Sequence, residues 1–360
     1  MTNHVTQAAM VERLGRLGIR PTSHIMVHAS LSRFGHVEGG AETVIAALRE
    51  ATGPTGGVIM PSFRDAIRSD NYALSLCLTQ CPQRLCTSGQ QGFTGKIGET
   101  LREQSDCLRS CHPTHSWVGV GGDAEFLLEG HGHSPTPCGH DSPFFRLMER
   151  DGKLLLLGVG VNSLTNIHAV EDVRNVPYLS AIDPARRHAT YTTSGRRIQY
   201  HFPELLFQTL VAADLVRTMR IGQAACHAMG ARDLGSFLWT VTEDDPWCLV
   251  LRPMKETYDP QQDAIEKTQR MLQCWQSCRD NAAWERFLYA SREPVNPVLF
   301  QETSEPRTEC PAYRGRIREH HRCAANDLPP WESFEQFDDW TDEPGVVTCG
   351  QCNWPGINTP

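Results

Sequence analysis

His168 and Glu171 lie three residues apart in "LLLLGVGVNSLTNIHAVED", residues 154–172. On a helix that spacing puts an imidazole and a carboxylate on one face. A carboxylate beside a histidine fixes its tautomer and supports the cation formed when the ring takes a proton, so the pair has the makings of a general base with its orienter. The same spacing also suits an ordinary surface ion pair. The flanking residues decide where the pair would stand. Leu154–Leu157 read as a strand buried on both faces, and Gly158, Gly160, Asn162 and Ser163 read as a turn. From Thr165 onward the pattern suits a helix, with Asn162, Ser163 or Thr165 as candidate N-caps. The pair then falls just past the carboxyl end of a strand, where open α/β sheets hold their ligands.

Two further groups could bind anions. Arg109, Ser110, His112, His115 and Ser116 fall within eight residues, a density of donors that suits a phosphate or an oxyanion and equally a solvated polar connection. Gly39 and Gly40 open a helix near Arg33, where unpaired N–H groups suit an anion or a simple turn. Cys111 beside two histidines has the composition of a Cys/His nucleophile. Cysteines at 77, 81 and 86, and at 349 and 352, have metal-ligand spacing. The second group could form a structural zinc site with Cys310, His320, His321 and Cys323.

These residues need a scaffold, and the first 60 residues supply its pattern. A helix over 6–19, a strand over 24–30, a helix over 41–52 and a strand over 58–63 make a parallel β-α-β unit, which predicts an α/β fold. Residues 263–290 read as helical, with Ile265, Met271, Leu272, Trp275, Trp284 and Leu288 as the buried stripe.

The chain has 360 residues and a net charge of -8, with 34 basic and 42 acidic residues and no basic block, which argues against a nucleic-acid partner. Its apolar runs are short for a membrane span, and its opening residues lack a basic start followed by an apolar block. The expectation is a soluble, cytoplasmic protein whose 14 cysteines are mostly reduced. Residues 251–360 hold 12 Lys/Arg against 18 Asp/Glu and 11 of the 23 prolines, which suggests a boundary near residue 250. Within them, 331–344 carry six acids and no base, with Trp331, Phe334, Phe337 and Trp340 at three-residue spacing. Such a segment could anchor on a core and gather a polycationic amine, or be an ordinary solvated acidic face.

Taken together, "HASLSRFGHVEGGAETVIAALREATGPTGGVIMPSF", "GKIGETLR", "RSCHPTHSWVGVG", "CGHDSPF", "DGKLLLLGVGVNSLTNIHAVE" and "RIGQAACHAMGARDLGSFL" resemble, in order, the signatures of the aminoglycoside 3-N-acetyltransferase family. The resemblance covers about residues 11–240. It implies an α/β fold with a central mixed sheet flanked by helices, distinct from the larger GNAT acetyltransferase superfamily. Residues 1–250 would be the acetyltransferase domain and 251–360 a Cys/Pro-rich C-terminal extension, helical then loop-rich, packed on the core. It also implies acetyl-CoA as co-substrate, with no metal required, and a small-molecule amine as acceptor. Carried over by position, the catalytic pair falls on His168 and Glu171. A tetrahedral oxyanion would need donors, for which the loop N–H groups, the Ser110 hydroxyl and Thr165 are the candidates. The CoA contacts fall on His28, Ser30, Leu31, Ser32, Arg33, Phe34, Gly35, Val37 and Gly40, and on Arg109, Ser110 and His112. Residues 64–94 depart from the stretch that shapes the family's acceptor site, so the amine is left open, as are the acyl group and the oligomeric state. A biosynthetic acyltransferase with another amine or acyl-CoA and a non-catalytic scaffold of the same fold are the rival readings.

Overall fold

The computed structural model describes residues 4–63, 85–86, 89, 91–112, 115–131, 138–174, 176, 199–200, 203–251, 260–278, 280 and 282–292. Within them, β1 (His24–Ala29), β2 (Gly57–Pro61), β3 (Leu108–Arg109), β4 (Trp117–Gly121), β5 (Lys153–Leu157), β7 (Arg217–Ile221) and β8 (Ala224–Gly230) form one mixed sheet in the order β3-β4-β2-β1-β5-β8-β7. A two-stranded ribbon joins β6 (Gln199–Tyr200) to β9 (Val250–Leu251). The centre is parallel, with β2 on one side of β1 and β5 on the other, and the flanking pairs are antiparallel. The chain leaves β1 toward β2 and later returns to its other side at β5. Such a reversal opens a crevice at the carboxyl ends of the parallel strands.

Alternation along the central strands builds a core on each face of the sheet. Ile25 and Val27 of β1, with Leu155 and Leu157 of β5, face α1 (Gln7–Arg16), α2 (Gly40–Thr52) and α3 (Lys96–Arg102). Met26, Leu154 and Leu156 face the other way. There they meet α4 (Ala124–Leu128), α5 (Pro143–Glu149), α6 (Ile167–Arg174), α7 (Pro203–Ala212), α8 (Ala231–Asp244), α9 (Pro260–Cys278) and α10 (Ala283–Ala290). β4 comes close to β2 because Gly119 lacks a side chain: a Cβ there would sit 2.7 Å from Ile59 Cγ2 and 2.9 Å from the Val58 carbonyl.

Two sequence expectations change. α6 begins at Ile167 rather than Thr165, because Val161–Ser163 wind a 3₁₀ turn whose bonds, such as Leu164 N–H to the Val161 carbonyl, occupy the proposed cap positions. Residues 263–290 form two helices, and Ile265 is 42 % exposed rather than in the buried stripe. The face turned inward is Ala264, Lys267, Met271 and Trp275, and Lys267 is tolerated there because Asp263, one turn earlier, lies 3.0 Å from its Nζ. Met271, Trp275, Ala283 and Phe287 belong to the same hydrophobic cluster as α5, α6 and α8. No helix among the described residues is long and apolar enough to cross a membrane, and no group of three His, Cys, Asp or Glu among them is arranged to hold a metal ion. The cysteines at 77, 81, 310, 323, 349 and 352 and the acidic segment 331–344 lie outside the described residues.

Candidate active site

The crevice at the carboxyl edge holds two adjoining clefts. The first, about 780 Å³, is lined by His28, Ala29, Ser30, Leu31, Ser32 and Gly35 after β1, by Pro61 and Phe63 after β2, by Phe93–Lys96, and by Val159, Ser163 and Thr165. The second, about 710 Å³, lies on the β8 side. It is lined by Ser30, Ser32, Arg33, the Gly158–Gly160 turn, Asn162, Ser163, Gln223–Ala225 and His227. Ser30, Ser32, Val159 and Ser163 face both. The second cleft is close-packed at Gly158, whose φ of +72° suits glycine and whose Cβ would lie 2.6 Å from Arg33 Cβ.

His168 and Glu171 come together as their spacing predicts: His168 Nδ1 lies 2.7 Å from Glu171 Oε2. The carboxylate side chain is 1 % exposed and the imidazole 14 %. In the tautomer with its hydrogen on Nδ1, that N–H donates to the Glu171 carboxylate and the basic lone pair is on Nε2. The His168 amide bonds the Thr165 carbonyl at 3.1 Å, so the pair stands one turn beyond a residue that lines the first cleft. Asn166 Nδ2 reaches Met26 Sδ at 3.3 Å and ties the start of α6 to β1. Glu171→Gln keeps the shape and loses the charge. Turnover should fall roughly 10- to 100-fold, the rate equivalent of the ~1.5–3 kcal/mol carried by a charged hydrogen bond. A steady-state assay checks this, and a loss deeper than that of His168→Ala would reverse the two roles.

The other sequence-predicted residues divide by burial. Ser30, Leu31, Ser32, Arg33, Gly35 and His28 reach the clefts. Phe34 and Val37 are core residues that anchor the loop, and Gly40, with φ +63°, opens α2 outside both linings. Arg109, Ser110 and His112 lie inside the fold. Arg109 donates from Nη2 to the Ser62 carbonyl at 3.1 Å and from Nε to Ser116 Oγ at 3.0 Å. Ser116 Oγ donates to the same carbonyl at 2.8 Å. Ser110 Oγ accepts the Trp117 N–H at 2.8 Å and lies 2.9 Å from His131 Nδ1. His112 stacks on His131, ring centres 4.6 Å apart, and its Nδ1 accepts the His115 amide at 2.9 Å. Cys111 is fully buried beside them, closed to an acyl donor. In this arrangement the block holds the end of β2 and thereby the floor of the first cleft. Glu99, which the sequence reading passed over, holds the other side of that floor: Oε1 accepts the Gly92 amide at 2.9 Å and the Ser62 hydroxyl at 3.3 Å.

Burial pushes the His28 imidazole down to about 4, and burial also lowers that of His227. Between pH ~6.5 and ~4 an unfolded His28 binds a proton that the folded one refuses, so its contribution to stability is present above the unfolded pKa and is lost as pH falls through this window. The wild-type chain should therefore lose about 3 kcal/mol more than His28→Leu between pH 7 and pH 4, read from urea melts at the two pH values. Equal losses would mean that His28 is protonated in the folded chain.

In open α/β sheets such a crevice is where a small-molecule ligand is held, and a histidine–carboxylate pair beside it is suited to proton transfer. The chain belongs to the aminoglycoside 3-N-acetyltransferase family, which it matches over residues 26–243. It is 39 % identical over 180 residues to aminoglycoside N(3)-acetyltransferase III of Salmonella sp, a match covering 48 % of this chain and 62 % of that protein. With aminoglycoside N(3)-acetyltransferase VIII of Streptomyces fradiae it shares 30 % over 274 residues, 65 % of this chain and 90 % of the relative. Its fold superposes on the crystal structure of aminoglycoside acetyltransferase AAC(3)-IIb with a TM-score of 0.51 at 27 % identity, over 67 % of this chain and 98 % of that one. The chain thus spans about 62 % of the length of several of the curated relatives it matches.

Proposed function

We propose that the protein transfers an acetyl group from acetyl-CoA to a primary amine, with His168 as general base and Glu171 as its orienter. The observation that carries this reading is the 2.7 Å His168–Glu171 bond, one turn beyond Thr165 at the edge of the first cleft. An ammonium has no lone pair, so the amine must lose a proton as it attacks, and a neutral imidazole can take that proton near pH 7. The nitrogen adds to the thioester carbonyl, the carbon–oxygen π pair moves onto oxygen, and collapse breaks the carbon–sulfur bond. The ammonium gives up two protons on the way to the amide: His168 returns one to sulfur as CoA leaves as the thiol, the other goes to solvent, and no covalent enzyme intermediate is needed. Ser30, Leu31, Ser32, Arg33 and Gly35 hold the donor, and Thr165 stands where it can contact the reacting groups.

One observation favours a second reading of the acceptor. The described lining of the two clefts includes Arg33 and Lys96 and no Asp or Glu. With Arg33 taken up by the donor, Lys96 is the cation left for the acceptor: a polycationic aminoglycoside is gathered best by carboxylates, whereas an amine that also carries an anionic group suits Lys96. Thiol release from acetyl-CoA with a panel of amines separates the readings. Saturable release with aminoglycosides supports the family's usual acceptor, preference for anion-bearing amines supports the second, and the absence of amine-dependent release removes acetyl transfer altogether.

A further inference from the structure

A tetrahedral intermediate places a full negative charge on the former carbonyl oxygen, and a site that speeds this step aims a fixed hydrogen-bond donor at that oxygen. Ser110 is a poor source, because its hydroxyl is fully buried, accepts the Trp117 amide and lies against His131. Lys96 lines the first cleft, but its ammonium is exposed at the end of a flexible stem and is not fixed in advance.

His28 is better placed. It pairs in register with Leu156, and Leu156 with His227, so the three side chains form a row on one face of the sheet. α6 packs on that same face, and Asn166 ties its start to Met26, two residues before His28 along β1. Along this edge His28 lines the first cleft together with Ser163 and Thr165. The Trp117 ring meets the imidazole edge-on, centres 5.6 Å apart, and fixes its plane. The residue is 6 % exposed, and its Nε2 is buried with no hydrogen-bond partner among the described residues. Buried polar atoms are nearly always paired, and an exception beside a cleft points to a partner supplied by the ligand.

We propose that His28 is a catalytic residue whose imidazole N–H binds the thioester carbonyl oxygen and the oxyanion it becomes. This rests on the acetyl-transfer reading above. The N–H donates a hydrogen bond and transfers no proton: the electron pair that moves onto oxygen during attack returns to re-form the carbonyl as the carbon–sulfur bond breaks. His168 alone carries the proton from nitrogen to sulfur. Burial keeps His28 uncharged at neutral pH, so the charged acceptor amine meets no like charge at this wall. A neutral imidazole also cannot compete with His168 as the acid that protonates sulfur.

The test compares His28→Phe, which fills the space without a donor, with His28→Asn, which restores an N–H on a shorter side chain. Folding is checked by circular dichroism, CoA affinity by calorimetry, and kcat, KM and the pH profile by thiol release. His28→Phe should lower kcat roughly 10²- to 10³-fold. The Kd for CoA should stay within about twofold and the pH profile should keep its shape, since His168 still sets it. His28→Asn should recover part of the loss. If His28→Phe does not fold, His28→Met against His28→Gln is read in the same way. Unchanged kcat without the donor overturns the proposal, as does a loss confined to KM and Kd for CoA, which would make His28 a donor-binding residue only. A wild-type chain that transfers to no amine overturns the acetyl-transfer reading and this inference with it. An active wild type with active His28→Phe overturns the inference alone.

Discussion

Replacing His168 by Ala should lower kcat roughly 10²- to 10⁴-fold while leaving CoA binding near its original strength. On the proposed mechanism the amine loses its proton to His168, whose Nδ1 is held 2.7 Å from Glu171 one turn beyond Thr165 of the first cleft. Removing the ring takes away the proton acceptor and leaves the clefts intact, because Ser30, Ser32 and Arg33 come from β1 and its loop rather than from α6. The loss should therefore appear in kcat, and calorimetric titration with CoA should give a Kd close to that of the wild type. Near-normal turnover in a folded His168→Ala chain would remove His168 from the mechanism.

A comparably large effect is expected on stability from Phe287→Ala. Phe287 is fully buried, stacked on Trp239 with ring centres 5.2 Å apart and tilted against Phe145 at 5.0 Å. Truncating such a ring forfeits its transfer free energy and leaves a cavity, a cost of about 3–5 kcal/mol. Total domain stability is commonly only ~5–15 kcal/mol, so the midpoint of urea unfolding should drop sharply. The m-value should hold, since the surface exposed on unfolding is nearly the same. A loss under about 1 kcal/mol would mean that 260–292 is an appendage rather than part of the sheet's covering layer.

The parallel centre of the fold was legible because its strands, "HIMVHA", "GVIMP" and "KLLLL", are compact apolar runs separated by turn signals. The antiparallel flanks were not. β4 is "WVGVG", whose two glycines mask its strand character, and the first of them is required by close approach to β2. β8 is "AACHAMG", rich in alanine, and becomes a strand only because β5 and β7 lie on either side of it. The His168–Glu171 pair could be read from local spacing. The walls of the neighbouring first cleft could not, because Phe63, Phe93 and Thr165 converge from separate parts of the chain. The block from Arg109 to Ser116 shows the limit of composition: it counts donors but does not say whether they face a ligand or the backbone of a neighbouring strand. Arg109 and Ser116 meet at the Ser62 carbonyl, so burial decides their role.

The most direct test is to incubate the chain with acetyl-CoA labelled in the acetyl group and a panel of primary amines, then follow the label by mass spectrometry alongside free thiol. The account predicts one labelled acetyl on an amine nitrogen for each thiol released, with both lost together in His168→Ala. Thiol release with the label left as free acetate, or no release with any amine, would contradict it.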